Sequence, residues 1–228
     1  MTQNNPATGS DIVHATGNRH DYLPAAGRNG LLPFYDVMTR ALGVPAVHRT
    51  LLARAGLTPG TRVVEIGCGT GNLTILAKDT HPGIEITGTD PDPLALARAE
   101  RKAKGRSGID FRHGYAQELP FADASIDDML SAFMLHHLPI DVKAAAAAEA
   151  LRILRPGGRL HIADVGGRMT TADGFMTRRM LKGGHVTDNL GDGIPRLLRA
   201  AGFDAEEVAS TVTRRIGRVT YYRATRPE

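Results

Sequence analysis

The segment Val63-Val64-Glu65-Ile66-Gly67-Cys68-Gly69-Thr70-Gly71-Asn72 constrains this chain more than any other. A hydrophobic strand carries an acid near its end and runs through three alternating glycines into a helix start. Glycine permits positive φ and lets backbone approach a ligand with no Cβ in the way. The spacing is G-x-G-x-G. Asn72 stands where the dinucleotide fingerprint needs a glycine, and no Gly-Lys-Ser/Thr follows as a phosphate loop requires. A tight strand–helix turn would use the same glycines, so the next acid matters. Thr87-Gly88-Thr89-Asp90 ends the following strand 19 residues after Gly71. A carboxylate there can accept both hydroxyls of a ribose. A helix N-cap role for Asp90, with Pro91 next, is compatible with that one.

Around this segment the pattern alternates. Strands are expected at Arg62–Ile66, Ile84–Thr89, Ile109–His113, Ile126–Ala132 and Arg159–Val165. Helices are expected at Asn72–Asp79, Asp92–Lys104 and the alanine-rich Val142–Leu154. Such alternation predicts a doubly wound α/β fold with a mostly parallel seven-stranded sheet. Phe203–Ala209 and Ile216–Thr225 would add a C-terminal antiparallel hairpin. Leu31–Leu42 and Ala46–Ala55 read as N-terminal helices broken by Gly43 and Pro45. We expect one domain over residues 1–228: a lid and helices (1–56), a core (57–165), a glycine-rich helical cap (166–201) and the hairpin (202–228).

Composition narrows the function classes. The chain has 228 residues, 42% hydrophobic and 23% charged, which are ordinary globular values. Aromatic content is 5% with no Trp, which weighs against single-strand binding by base stacking. The net charge of +4 owes much to Arg214, Arg215, Arg218, Arg223 and Arg226. A charged edge strand explains those better than a nucleic-acid face does. Cys68 is the single cysteine, so neither a disulfide within the chain nor a cysteine metal site is expected. No cluster has metal-ligand spacing, Asp164 alone is not a site, and Asp127-Asp128 reads as a solvated turn. With no signal-type segment and no run of membrane-spanning length, a cytoplasmic protein is expected. Oligomeric state is left open.

Motif, acid and order together resemble the class I S-adenosylmethionine-dependent methyltransferases, and in particular the ubiquinone/menaquinone-biosynthesis-type branch that methylates small molecules. Three further segments carry the likeness: Gly114-Tyr115-Ala116-Gln117-Glu118-Leu119-Pro120-Phe121, Phe133-Met134-Leu135-His136-His137-Leu138, and Leu151-Arg152-Ile153-Leu154-Arg155-Pro156-Gly157-Gly158-Arg159-Leu160. It spans about Leu31 to Val165. The resemblance implies S-adenosyl-L-methionine as cofactor. Glu65 and the backbone of Gly67, Cys68, Gly69 and Gly71 would hold its methionine part. Asp90, with Pro91, would hold the ribose. Tyr115 and Ala116 would lie by the adenine, although the family usually has Asp where Tyr115 stands; the Tyr115 ring or hydroxyl, or backbone near Ala116, would substitute. Ser131, Ala132 and Phe133 would face the sulfonium end, and Tyr35 would close over the cofactor.

Methyl transfer from a sulfonium is an in-line displacement, in which positioning contributes roughly 7–11 kcal/mol. Tyr22, Tyr35 and Phe133 are candidates for an aromatic face beside the cation. A hydroxyl or carbon nucleophile also needs a base, and His136 or His137 at the end of the fourth strand fits that work, with His185 a weaker candidate. One of the two adjacent histidines packing locally is the plainer alternative. Met169, Met176 and Met180 suit either a hydrophobic acceptor pocket or the core. The expected partner is a small-molecule methyl acceptor rather than nucleic acid. A nucleic-acid or protein methyltransferase, and a cofactor-binding protein without catalysis, are the competing classes. Ser131-Ala132-Phe133-Met134 lacks the Asn/Asp-Pro-Pro-Tyr/Phe pattern that base-amino methyltransferases resemble.

Overall fold

The computed structural model describes residues 32–184 and 186–228. Tyr22 and His185 lie outside them. Two helices, α1 (Leu32–Leu42) and α2 (Val44–Ala55), precede β1 (Arg62–Ile66), α3 (Asn72–Thr80), β2 (Glu85–Asp90), α4 (Pro93–Ala103), β3 (Ile109–His113) and β4 (Ile126–Ala132). A short 3₁₀ turn, Leu135–His137, leads to α5 (Ile140–Ile153) and β5 (Leu154–Val165). Then come α6 (Phe175–Gly183), α7 (Gly193–Ala200), β6 (Asp204–Thr213) and β7 (Gly217–Thr225).

The strands form one seven-stranded sheet in the order β3-β2-β1-β4-β5-β7-β6. β1 to β5 are parallel, and β7 inserts antiparallel between β5 and β6. Adjacent residues of a strand face opposite sides, and here both sides are buried. Val64, Met129, Ile162 and Tyr222 belong to a cluster with α5 and α7. Their neighbours Val63, Leu130, Ala163 and Tyr221 belong to another with Val47, Leu51 and Leu52 of α2. This is why the central strands read as continuous apolar runs. The alanine run of α5 has a packing use: Ala146, Ala147 and Ala150 are buried and admit the helix close to the sheet.

Several boundaries differ from the sequence reading. Gly43, in the left-handed region at φ 90°, caps α2 at its start, and Pro45 sits in the first turn, where its missing N–H costs nothing. Asp92, not Asp90, caps α4, accepting from the Leu94 and Ala95 amides at 2.9 and 3.3 Å. β6 runs on to Thr213 because backbone pairing with β7 persists where its side chains are exposed and show no apolar pattern. Asp127-Asp128 is not a solvated turn. Asp128 is 2% exposed in β4, accepts from Arg159 at 2.9 Å and faces His161, because burial there demands charge partners. The arginine-rich hairpin is occupied internally: Arg223 pairs with Glu206, Arg218 with Asp173, and Arg226 donates to the Leu151 and Leu154 carbonyls.

Candidate cofactor and acceptor site

Between β1 and α3 the chain must turn sharply, and Gly67, Gly69 and Gly71 do so at φ 69°, 51° and 75°. Only glycine takes such angles without strain. Two of them also allow close approach. A Cβ on Gly67 would lie 2.4 Å from the Met134 side chain, and one on Gly71 2.9 Å from the Phe111 ring. The Gly67 and Cys68 amides donate to the Thr89 carbonyl of β2 at 2.8 and 2.9 Å. The Gly69 amide donates to Asp90 Oδ2 at 2.7 Å, while Asp90 Oδ1 accepts from the Asp92 amide at 2.9 Å. The loop is thereby stapled across the carboxyl ends of β1 and β2, where open α/β sheets bind ligands.

Three ionisable groups meet in this corner. Glu65 is buried in β1 and accepts from the Thr74 hydroxyl. Burial pushes its carboxyl up to about 7, with a further push from the Asp90 charge. Burial likewise raises Asp90 to about 6. Tyr35, on α1, is pushed up to about 12 by burial and then by the charges of Asp90, Glu65 and Asp36. Tyr35 therefore faces the two carboxylates from the N-terminal helix. The Gly114 amide donates to the Asp90 carbonyl at 3.3 Å, setting the loop after β3 beside the same acid. In that loop Tyr115 bridges to Glu118 and meets the edge of His113, and Ala116 is buried.

A second group gathers at the ends of β4 and β5. Phe133 holds φ 56°, a costly conformation for an aromatic residue, and its amide donates to Ala163 at 2.9 Å. Ala132 is half-buried before it. Ser131 is buried beneath α5 among Ile66, Met134 and Lys143. The strained step turns the chain into the 3₁₀ turn that carries His136 and His137, whose ring centroids are 3.9 Å apart. His136 Nδ1 is 2.6 Å from Asp164 Oδ1, and its amide donates to Asp164 Oδ2 at 3.2 Å. Asp164 is fully buried, which alone would raise its pKa; the His136 ring and its hydrogen bond outweigh that and hold the carboxyl below the usual range. In the neutral ring such a carboxylate selects the Nδ1–H tautomer, which leaves Nε2 as the acceptor. Asp164 thus has a side-chain partner 28 residues away. His137 is exposed.

In the cap, Met169 is buried in the core and Met180 packs against it; only Met176 stays exposed. Among the described residues no group of histidine, cysteine and acids could hold a metal, and no helix is long and apolar enough to cross a membrane. Asp36 and Asp164 are the functional candidates that the sequence reading passed over. Asp164 was signalled by its place at a strand's carboxyl end, and Asp36 by its adjacency to Tyr35.

Comparison with known proteins agrees with this architecture. Residues 63–158 match a family model described as a methyltransferase domain. An uncharacterised protein of Mycobacterium tuberculosis is 31% identical over 223 residues, covering 89% of this chain and 74% of that one. A demethylmenaquinone methyltransferase of Deinococcus radiodurans is 38% identical over 135 residues, 57% of this chain and 55% of its own. Among solved structures, a Haemonchus contortus N-methyltransferase with S-adenosylhomocysteine bound superposes with a TM-score of 0.64 at 17% identity, covering 80% of this chain and 53% of that chain. The chain belongs to the S-adenosylmethionine-dependent methyltransferases and is an enzyme of that family.

Proposed function

We propose that the enzyme transfers a methyl group to a small-molecule acceptor, with His136, oriented by Asp164, as the general base. The observation that carries this is the 2.6 Å His136–Asp164 contact at the carboxyl ends of β4 and β5, beside the glycine loop. S-adenosylmethionine, when bound, supplies an electrophilic methyl on a sulfonium. The cleft suits it: a loop that only glycine can form, two desolvated carboxylates and a tyrosine. Glu65 would answer the ammonium of the methionine end, directly or through Thr74. Asp90 would accept the ribose hydroxyls, and Tyr115 and Ala116 would flank the adenine. Tyr35 and Phe133 would exclude water on the methyl side. The quinone methyltransferase relatives favour a small acceptor, and Arg218, Arg223 and Arg226 of the hairpin are engaged within the chain.

Two measurements test the reading. Incubation with methyl-labelled cofactor and a size-fractionated cell extract should label the fraction below about 1 kDa and leave nucleic acid and protein unlabelled. Label confined to either polymer would overturn it. The second is pH dependence. Protonated Glu65 and Asp90 cannot serve a cationic amine or ribose hydroxyls, and their values near 7 and 6 put the change close to neutrality. Affinity for S-adenosylhomocysteine is therefore expected to rise as pH goes from about 5.5 to 8. Stability without cofactor runs the other way. The folded state holds these protons to higher pH than the unfolded chain, so stability falls as pH rises from about 4, where the unfolded carboxyls ionise, to about 7. A flat affinity profile from 5.5 to 8 would remove both acids from cofactor binding.

A further inference from the structure

Exposed apolar side chains scattered singly need no account, but a group on one face marks an interaction surface. Among the described residues the large exposed ones are Val37, Met38, Leu94, Ile140, Phe175, Met176 and Val212. All of them lie at the carboxyl edge of the sheet, where the glycine loop opens. Leu94 and Ile140 are in the first turns of α4 and α5, the helices that follow β2 and β4. Val37 and Met38 adjoin Asp36, which accepts from Thr70 and Asn72 of the glycine loop at 2.6 and 2.9 Å. Val212 pairs with Arg218 at the start of β7. That start meets the end of β5, with Val219 opposite Val165. Phe175 and Met176 open α6, whose Thr177 lies so close to Gly217 that a Cβ there would collide with it.

Cations stand among these residues where α1, α6 and the β6–β7 turn meet. Arg215 of the turn donates to the Ala41 carbonyl of α1. Arg218 pairs with Asp173, just before α6, at 2.9 Å. On α6 the spacing is regular. Phe175, Arg178, Arg179 and Lys182 recur at i, i+3, i+4 and i+7 and are all exposed, so they form one stripe. On the opposite side Thr177 is buried, and Met180 and Leu181 pack on the core. Phe175, at the head of the stripe, is 78% exposed. α6 contains no acid. Arg214 and Arg215 add two exposed cations from the turn. Among the described residues these five cations have no carboxylate partner. The acids of the cap are engaged elsewhere: Asp173 with Arg218, Asp188 with Lys143 and Asp192 with Arg196.

A nucleic acid would answer the charges and leave Val37, Met38, Phe175 and Val212 in water. An anionic bilayer answers both. The apolar side chains enter beneath the headgroups, while the cations stay at the phosphates with their stems against the acyl boundary.

We propose that the rim formed by α1, α6 and the β6–β7 turn docks on an anionic lipid bilayer, which seats the cleft mouth against the membrane and lets an apolar acceptor enter without crossing water. The acceptor clause rests on the small-molecule reading above; the docking does not.

The test is sedimentation of the full chain with lipid vesicles, with neither cofactor nor acceptor present, so its outcome is separate from that of methyl transfer. Phosphatidylcholine vesicles with about one third phosphatidylglycerol supply the anionic surface, and pure phosphatidylcholine the neutral control. Binding to the anionic vesicles is expected to be about tenfold tighter or more, and to weaken as salt rises. Arg179→Gln combined with Lys182→Gln should weaken it about 25-fold, at about fivefold per cation. Phe175→Ser should weaken it about tenfold. Both variants should bind S-adenosylhomocysteine in calorimetry as wild type does, which also shows that they fold. Equal binding to the two vesicle types, or none to either, would overturn the docking, as would variants that sediment like wild type. Retention on heparin with vesicle binding unaffected by Phe175→Ser would make the face a polyanion site and sink the proposal too. Methyl label from the extract experiment that stays in water rather than moving into organic solvent would overturn the acceptor clause.

Discussion

His136→Ala is expected to lower kcat by about 10²- to 10⁴-fold, the range that a positioned general base contributes. Affinity for S-adenosylhomocysteine should stay within twofold of wild type. The reason is geometric. Asp164 accepts two hydrogen bonds from His136, one from the ring and one from the amide, so the ring's orientation is set by a buried anion. In the neutral ring Nδ1 carries the proton and Nε2 accepts one from the methyl acceptor. Asp164→Asn should lower kcat as well, by weakening that tautomer preference, and should shift the acid limb of the kcat–pH profile. His137→Ala should cost less, since His137 is exposed and it is the His136 ring that meets the carboxylate at 2.6 Å. Full turnover in both single histidine variants, with the acceptor identified by the labelling experiment, would end the general-base assignment. The strained Phe133 belongs to the same argument. Its left-handed backbone redirects the chain after β4 so that His136 reaches back to β5.

Asp90→Ala is expected to weaken cofactor binding by about 10²- to 10⁴-fold while the protein stays folded. A hydrogen bond to a charged group contributes about 1.5–3 kcal/mol, and two ribose hydroxyls would be lost together. Asp90 also orders the glycine loop through the Gly69 amide, so the loop would lose an anchor along with the ligand contact. The fold should survive because α4 is capped by Asp92 and the Gly67 and Cys68 amides still donate to Thr89. A buried carboxyl raised to about 6 is moreover a cost to the folded state at neutral pH, and its removal offsets part of the lost bonding. Calorimetry with S-adenosylhomocysteine and a thermal unfolding curve check both halves. Unchanged affinity would take Asp90 out of the site.

What the sequence determined by itself was whatever depends on neighbours a few residues apart. The strand–glycine–helix segment is of this kind, because positive φ at Gly67, Gly69 and Gly71 is a demand that only one residue type meets. So is the alternation of buried strands with amphipathic helices, which specified five parallel strands, to which the C-terminal hairpin pattern added two. Asp90 was legible because strand ends in such a sheet are where ligands sit. Tertiary structure alone decided which polar groups became partners. Asp36 finds Thr70, Arg98 and Lys102 from 34, 62 and 66 residues away. Asp164 finds His136 across two adjacent strands. Asp127-Asp128 read as a solvated turn because the pair opens its strand at the end away from the ligand side, and sheet burial with Arg159 and His161 opposite Asp128 reversed that. A carboxylate's role is set by what faces it, and that is fixed only when strand order and helix packing bring remote segments together.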